Sequence, residues 1–182
     1  AVYAFNGAAL EIFEAARASG LQTILDQTAA PWRWNKKLLM EEASRWADWE
    51  VTPAEIDFSG ALSAREEREW GLTDQIVCGS QFAAEALAEA GGPRERCAVV
   101  PYTGHTAFHG LPRPARYRGN GNFRILFVGT LQLRKGVQYL LEAKRLLRGE
   151  PVEFRLVGPS LLSEPAMRKL HAELNVVGPV PR

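Results

Sequence analysis

Along most of its length the chain switches between two hydrophobic periods, and RILFVGTLQLRKGVQYLLEA, residues 124–143, shows one such switch in full. Phe123 and Ile125 to Val128 make a largely apolar run ahead of Gly129, after which Val137, Leu140, Leu141 and Leu147 recur at helical spacing. The pattern predicts a strand that ends at Gly129-Thr130 and a helix that opens on Arg134-Lys135-Gly136. Where a strand hands over to a helix in an α/β protein, the first helical amides and the positive end of the helix dipole face the carboxyl edge of the sheet. Two cations and two glycines at such a turn suit a phosphate.

The same alternation runs through the rest of the chain. AVYAF reads as a buried strand and GAALEIFEAARASG as an amphipathic helix carried by Leu10, Phe13 and Ala16 and closed by Gly20. LQTILDQ is a second strand, and residues from Trp32 to about Trp49 are helical again. Thr52-Pro53-Ala54-Glu55 is a helix start with a capping box, a signature that Ser63-Ala64-Arg65-Glu66 repeats. QIVC, a helix from Gln81 to about Ala90, and CAVVP complete a β-α-β-α-α-β-α-β order over residues 1–101. Residues 102–122 are rich in Gly, Pro and basic residues, show neither period, and read as an interdomain linker. Residues 123–182 resume with FRILFVG, a helix, VEFRLVG, a helix from Pro165 to about Leu174 capped by Ser163, and the short strand NVVG. Parallel strands need crossover connections, so the alternation predicts two open α/β units with parallel sheets. Each is short of strands, which leads us to expect an interior piece of a longer protein.

Composition narrows the partners. Twenty-two basic against 21 acidic residues leave a formal charge of +1, so no broad field recruits nucleic acid or an anionic membrane, and any anion site is local. Cys78 and Cys97 sit in or beside apolar runs and read as small buried hydrophobes in a reducing compartment. No stretch reaches the roughly 18 apolar residues of a spanning helix, and no basic-then-apolar leader opens the chain, so a cytoplasmic protein is expected.

Taken in order, EREWGLTDQIVCGSQF, VVPYTGHTAF, FRILFVGTLQLRKGVQYLLEA, FRLVG and VVGPVPR resemble glycosyltransferase family 4. The resemblance implies two Rossmann-like units in the GT-B arrangement, each incomplete here. Residues 1–101 are then the C-terminal part of the acceptor-side domain, and 123–182 the N-terminal part of the donor-side domain. It implies transfer of a sugar from a nucleotide-sugar donor to a sugar or lipid-linked acceptor, with retention, and with no cofactor or metal. The donor's diphosphate would lie against Gly129, Thr130, Arg134 and Lys135, with Lys135 as the catalytic cation. Pro101, Tyr102, Thr103 and Gly104 would form the hinge. A fixed ammonium stabilises the charge that grows on a departing diphosphate more in the transition state than in the ground state.

Two positions depart from the family pattern. Thr130 stands where relatives carry an arginine, and Arg134 replaces it only if the turn is not helical there, because helix neighbours diverge. Asp26-Gln27 stands where many relatives end the strand with a histidine near the sugar; Asp26 either bonds a sugar hydroxyl or serves as a turn or cap residue. Ser80 is most simply a helix N-cap with a donor contact second, and Asp26, Gln27 and Ser80 are the candidates on the acceptor side. Trp32, Trp34, Trp46 and Trp49, with Arg33, Lys36 and Lys37 nearby, suit either aromatic core packing or weak contact with a membrane surface. His105 and His109 lack a third ligand for zinc, and His171 reads as a helix surface residue. The family's Glu-x7-Glu motif and its first glycine-rich loop would fall outside residues 1–182, so no transferase activity is expected of this piece alone. A non-catalytic sugar- or nucleotide-binding module of the same fold is the alternative, and a nicotinamide-dependent dehydrogenase fits poorly, since no G-x-G-x-x-G follows a strand with an acidic residue about 20 positions on.

Overall fold

The computed structural model describes residues 1–50, 55–102, 110 and 123–181, with the backbone alone for 55–59. The chain divides into two compact units, one of residues 1–38 and 54–110, the other of 39–53 and 111–182. Residues 39–53 thus belong with the second unit although they lie between elements of the first.

The first unit holds a parallel sheet in the order β1 (Val2–Phe5), β2 (Thr23–Gln27), β3 (Gln75–Cys78) and β4 (Cys97–Val99). Its helices are α1 (Leu10–Ala18), the start of α2 (Trp32–Arg45), α3 (Glu55–Leu72) and α4 (Gln81–Glu89). Strands added in sequence order with right-handed crossovers put their helices on one face. That face carries Ala4, Leu25, Ile76 and Cys78, which bury against Phe13, Trp70, Ala84 and Leu87. On the other face Tyr3 and Phe5 stay 52% and 56% exposed.

The second unit repeats the scheme with three strands, β5 (Phe123–Val128), β6 (Val152–Val157) and β7 (Asn175–Gly178). Helices α5 (Val137–Leu146) and α6 (Glu164–Glu173) supply Val137, Leu141, Ala166 and Leu170 to a core shared with Phe154 and Leu156. Trp49 is buried there and Trp46 packs against it. Leu126 and Val128, on the opposite face, are 64% and 70% exposed, and an open apolar trough runs along them. Fully parallel sheets are ordinarily covered on both faces, so each unit has the form of half a doubly wound sheet.

Two expectations change, and a third lies largely outside the described residues. The second capping signature at Ser63 lies inside α3, which runs unbroken from Glu55 to Leu72. The first, at Thr52, falls largely outside the described residues. And the helix expected to open on Arg134 begins instead at Val137, because Leu133–Lys135 form a separate 3-10 turn closed by Gly136 in the left-handed conformation at φ 73°. A side chain at 136 would be strained there, which explains the glycine after Lys135.

Candidate functional site

The carboxyl edge of the second sheet is built from backbone. After β5 the chain keeps following β6: the Gly129 amide donates to the Val157 carbonyl at 2.9 Å and the Leu131 amide to that of Pro159 at 2.8 Å. Backbone groups alternate in direction along an extended strand, so those of Thr130 face away from β6. Gly158 makes this closeness possible, since a Cβ there would fall 2.1 Å from the Gly129 carbonyl oxygen. Leu131 and Leu133 are buried and anchor the segment, whereas Thr130 is half-buried and Arg134 and Lys135 are exposed. Among the described residues neither cation has an ion-pair or hydrogen-bond partner. The turn that carries them is helical of the 3-10 type, in which successive residues lie about 120° apart. The condition set on Arg134 as a stand-in for the missing arginine, a non-helical turn, is therefore not met.

Carboxylates from residues 39–50 hold this turn. Glu50 Oε1 accepts the Leu133 amide at 2.5 Å, and Glu42 accepts both Gln138 Nε2 at 2.9 Å and the Tyr139 hydroxyl at 2.7 Å. Glu42 and Gln138 are buried. The Gln138 Oε1 atom is buried without a partner.

At the carboxyl edge of the first sheet the helix start is already occupied. The N-cap of α1, Ala9, has no side chain to offer, and Glu69 of α3 takes that role. Its carboxylate accepts the amides of Gly7 at 2.7 Å, Ala9 at 3.0 Å and Leu10 at 3.2 Å, with Arg65 Nε 3.4 Å away. One turn earlier on α3, Glu66 accepts Asn6 Nδ2 at 3.0 Å, Gln27 Nε2 at 3.3 Å and the Trp32 amide at 2.8 Å. Burial pushes the Glu66 carboxyl above its usual range, and the three donors pull the other way.

The expected residues on this unit fall out as follows. Asp26 lies within β2 and accepts the Tyr3 hydroxyl at 2.7 Å; it is a strand residue, not the turn or cap residue that was the alternative. Gln27 is fully buried, bonded to Glu66, to the Ala29 carbonyl and by the Trp70 indole. Ser80 caps α4, its Oγ accepting the Ala83 amide at 3.1 Å. Of the hinge residues, Pro101 and Tyr102 are described, and the Tyr102 ring lies over Gly79 with its hydroxyl 3.5 Å from the Thr28 carbonyl. Thr103 and Gly104, like His105 and His109, lie outside the described residues. His171 is exposed on α6, and both cysteines are free thiols, that of Cys78 pushed up to about 12 mainly by burial. Trp34, Trp46 and Trp49 serve the two cores. Among the described residues no group of three or more His, Cys, Asp or Glu side chains could hold a metal ion, and no helix is long and apolar enough to cross a membrane.

The sequence reading does not single out Glu42, Glu50, Glu66 and Glu69 as carboxylates that bind backbone or side-chain donors, three of them buried. A signal existed: Leu39, Glu42, Trp46 and Trp49 share one helical stripe, as do Leu62, Glu66, Glu69, Trp70 and Thr73. A carboxylate on an otherwise apolar stripe must meet donors when it is buried.

No known protein family matches the chain, and no curated protein matches it. Solved structures do. Anabaena HepE in complex with UDP superposes with a TM-score of 0.58 at 15% identity, covering 98% of this chain and 48% of HepE. HepE with UDP-glucose gives 0.54 at 16%, again over 98% and 48%. The lipopolysaccharide outer core galactosyltransferase WaaB gives 0.52 at 13%, over 98% of this chain and 44% of WaaB. The likeness shows the fold, which is of the GT-B type and represented here by two partial Rossmann-like units. The chain spans about half the length of these neighbours, at 48% and 44%.

Proposed function

We propose that the chain is the central part of a retaining nucleotide-sugar glycosyltransferase of family 4 type, working without a metal or other cofactor. The observation that carries this reading is Lys135, with Arg134 beside it, both without an ion-pair or hydrogen-bond partner among the described residues, just after a glycine-tight strand end in the second unit. Two exposed cations without a counter-ion among the described residues make a local positive site in a chain of formal charge +1. The complexes of HepE with UDP and UDP-glucose point to a uridine-diphosphate sugar as the donor class. In this reading Lys135 neutralises the departing diphosphate, and an acceptor hydroxyl is bound by the first unit. The uncovered sheet faces support membership of a longer chain whose further strands and helices complete both sheets. The isolated 182 residues are then without transferase activity.

Calorimetry of UDP binding to the full-length protein tests the reading, together with transfer assays from UDP-sugars. Binding with transfer supports it, and binding without transfer or donor hydrolysis supports a second reading, a non-catalytic module, which Thr130 at the arginine position favours.

A further inference from the structure

The turn that presents Arg134 and Lys135 is only three residues long, and such turns form poor hydrogen bonds of their own. Here its first residue is held from outside. The Leu133 amide is bound by Glu50 at 2.5 Å, and the Leu133 carbonyl accepts Gln138 Nε2 at 3.2 Å as well as the Gly136 amide at 2.9 Å. Its side chain is 4% exposed. Gln138 Nε2 is in turn fixed by the buried Glu42, which also receives the Tyr139 hydroxyl. Leu133 is thus tied by amide, carbonyl and side chain, and Gly136 closes the turn three residues on, which leaves the backbone of Arg134 and Lys135 little freedom. Glu42 and Glu50 come from residues 39–53, more than 80 positions earlier in sequence, yet belong to the same compact unit as the turn. Trp49 in the core and the Trp49 carbonyl, which accepts the Ser163 amide at 2.7 Å, seat that segment.

A carboxylate so close to an anion site repels the anion, so its presence there calls for a compensating role. We propose that Glu50, together with Glu42 acting through Gln138, is a positioning residue that sets the Lys135 turn for a diphosphate. The inference rests on the reading of Lys135 given above.

The test compares UDP affinity of the full-length protein by calorimetry in Glu50→Ala, Glu50→Gln and Lys135→Ala. Glutamine keeps an oxygen that can accept the Leu133 amide and loses the charge. Positioning therefore predicts that Glu50→Ala weakens UDP binding roughly tenfold and that Glu50→Gln restores most of the loss. Tighter binding in both Glu50 variants would mean that Glu50 acts only as a repelling charge and would overturn the proposal. Wild-type affinity in Glu50→Ala alongside a loss in Lys135→Ala would overturn positioning while leaving Lys135 as a ligand contact; wild-type affinity in Lys135→Ala would overturn both. Amide exchange, read without ligand, gives an independent check: the Lys135 and Gly136 amides should exchange faster in Glu50→Ala and regain protection in Glu50→Gln, and unchanged protection in Glu50→Ala contradicts the proposal.

Discussion

The carboxyl edges of the two sheets solve one problem in opposite ways. In the first unit the helix start after β1 is filled by the chain's own Glu69, and Glu66 beside it binds the first amide of α2. In the second, backbone packed through Gly129 and Gly158 makes the edge, and two cations beside it have no counter-ion among the described residues. An amide already bonded to a carboxylate has no capacity left for a phosphate. Under the proposed function this difference is the reason anion recognition falls to the second unit, whose edge leaves its cations open, and not to the first, whose helix-start amides are already taken.

The comparison can be broken at its strongest point first. Glu69→Ala orphans three amides and leaves Arg65 without its buried partner, and should cost about 4 kcal/mol of stability, read as a drop in the denaturant midpoint. A loss under about 1 kcal/mol would show that water replaces the carboxylate and that the edge is open to ligands after all. Gly158→Ala attacks the other edge. Its Cβ collides with the Gly129 carbonyl and its φ of 143° strains an alanine, for about 3 kcal/mol by the same measurement. A smaller effect concerns Arg65, which pairs with both Glu69 and Glu11. The Arg65 hydrogen bond holds the Glu11 carboxyl down to about 2, so this pairing stabilises the fold above the ordinary carboxylate range and is lost as pH falls toward 2. In Arg65→Ala the Glu11 carboxyl, followed by NMR titration, should rise from about 2 toward the ordinary carboxylate range, while its backbone hydrogen bond and Arg68 still hold it somewhat low.

The strands and most helices could be read from the sequence because buried parallel strands are continuous apolar runs, and because Gly20, Gly91 and Ser163 punctuate them by local backbone chemistry. Leu10, Phe13 and Ala16 bury as their spacing implies. What could not be read depends on contacts distant in sequence. Ser63 and Glu66 match a capping box locally, but Glu66 is drawn into donors from β1, β2 and the start of α2, and the helix passes through. Residues 39–53 lie between elements of the first unit in sequence, yet Glu42, Trp46 and Trp49 find their donors and apolar partners in the second. At the candidate site the residue types at 129–136 were legible, whereas the 3-10 turn was not, since it is imposed by Glu50 and Gln138 from outside the segment.

The central claim is that the second unit's carboxyl edge binds a diphosphate through Lys135. Titrating UDP into the full-length protein and its Lys135→Ala variant by calorimetry measures this directly. The account predicts saturable binding by the wild type and a loss of roughly 10- to 100-fold in the variant; equal affinity in the two proteins would contradict it.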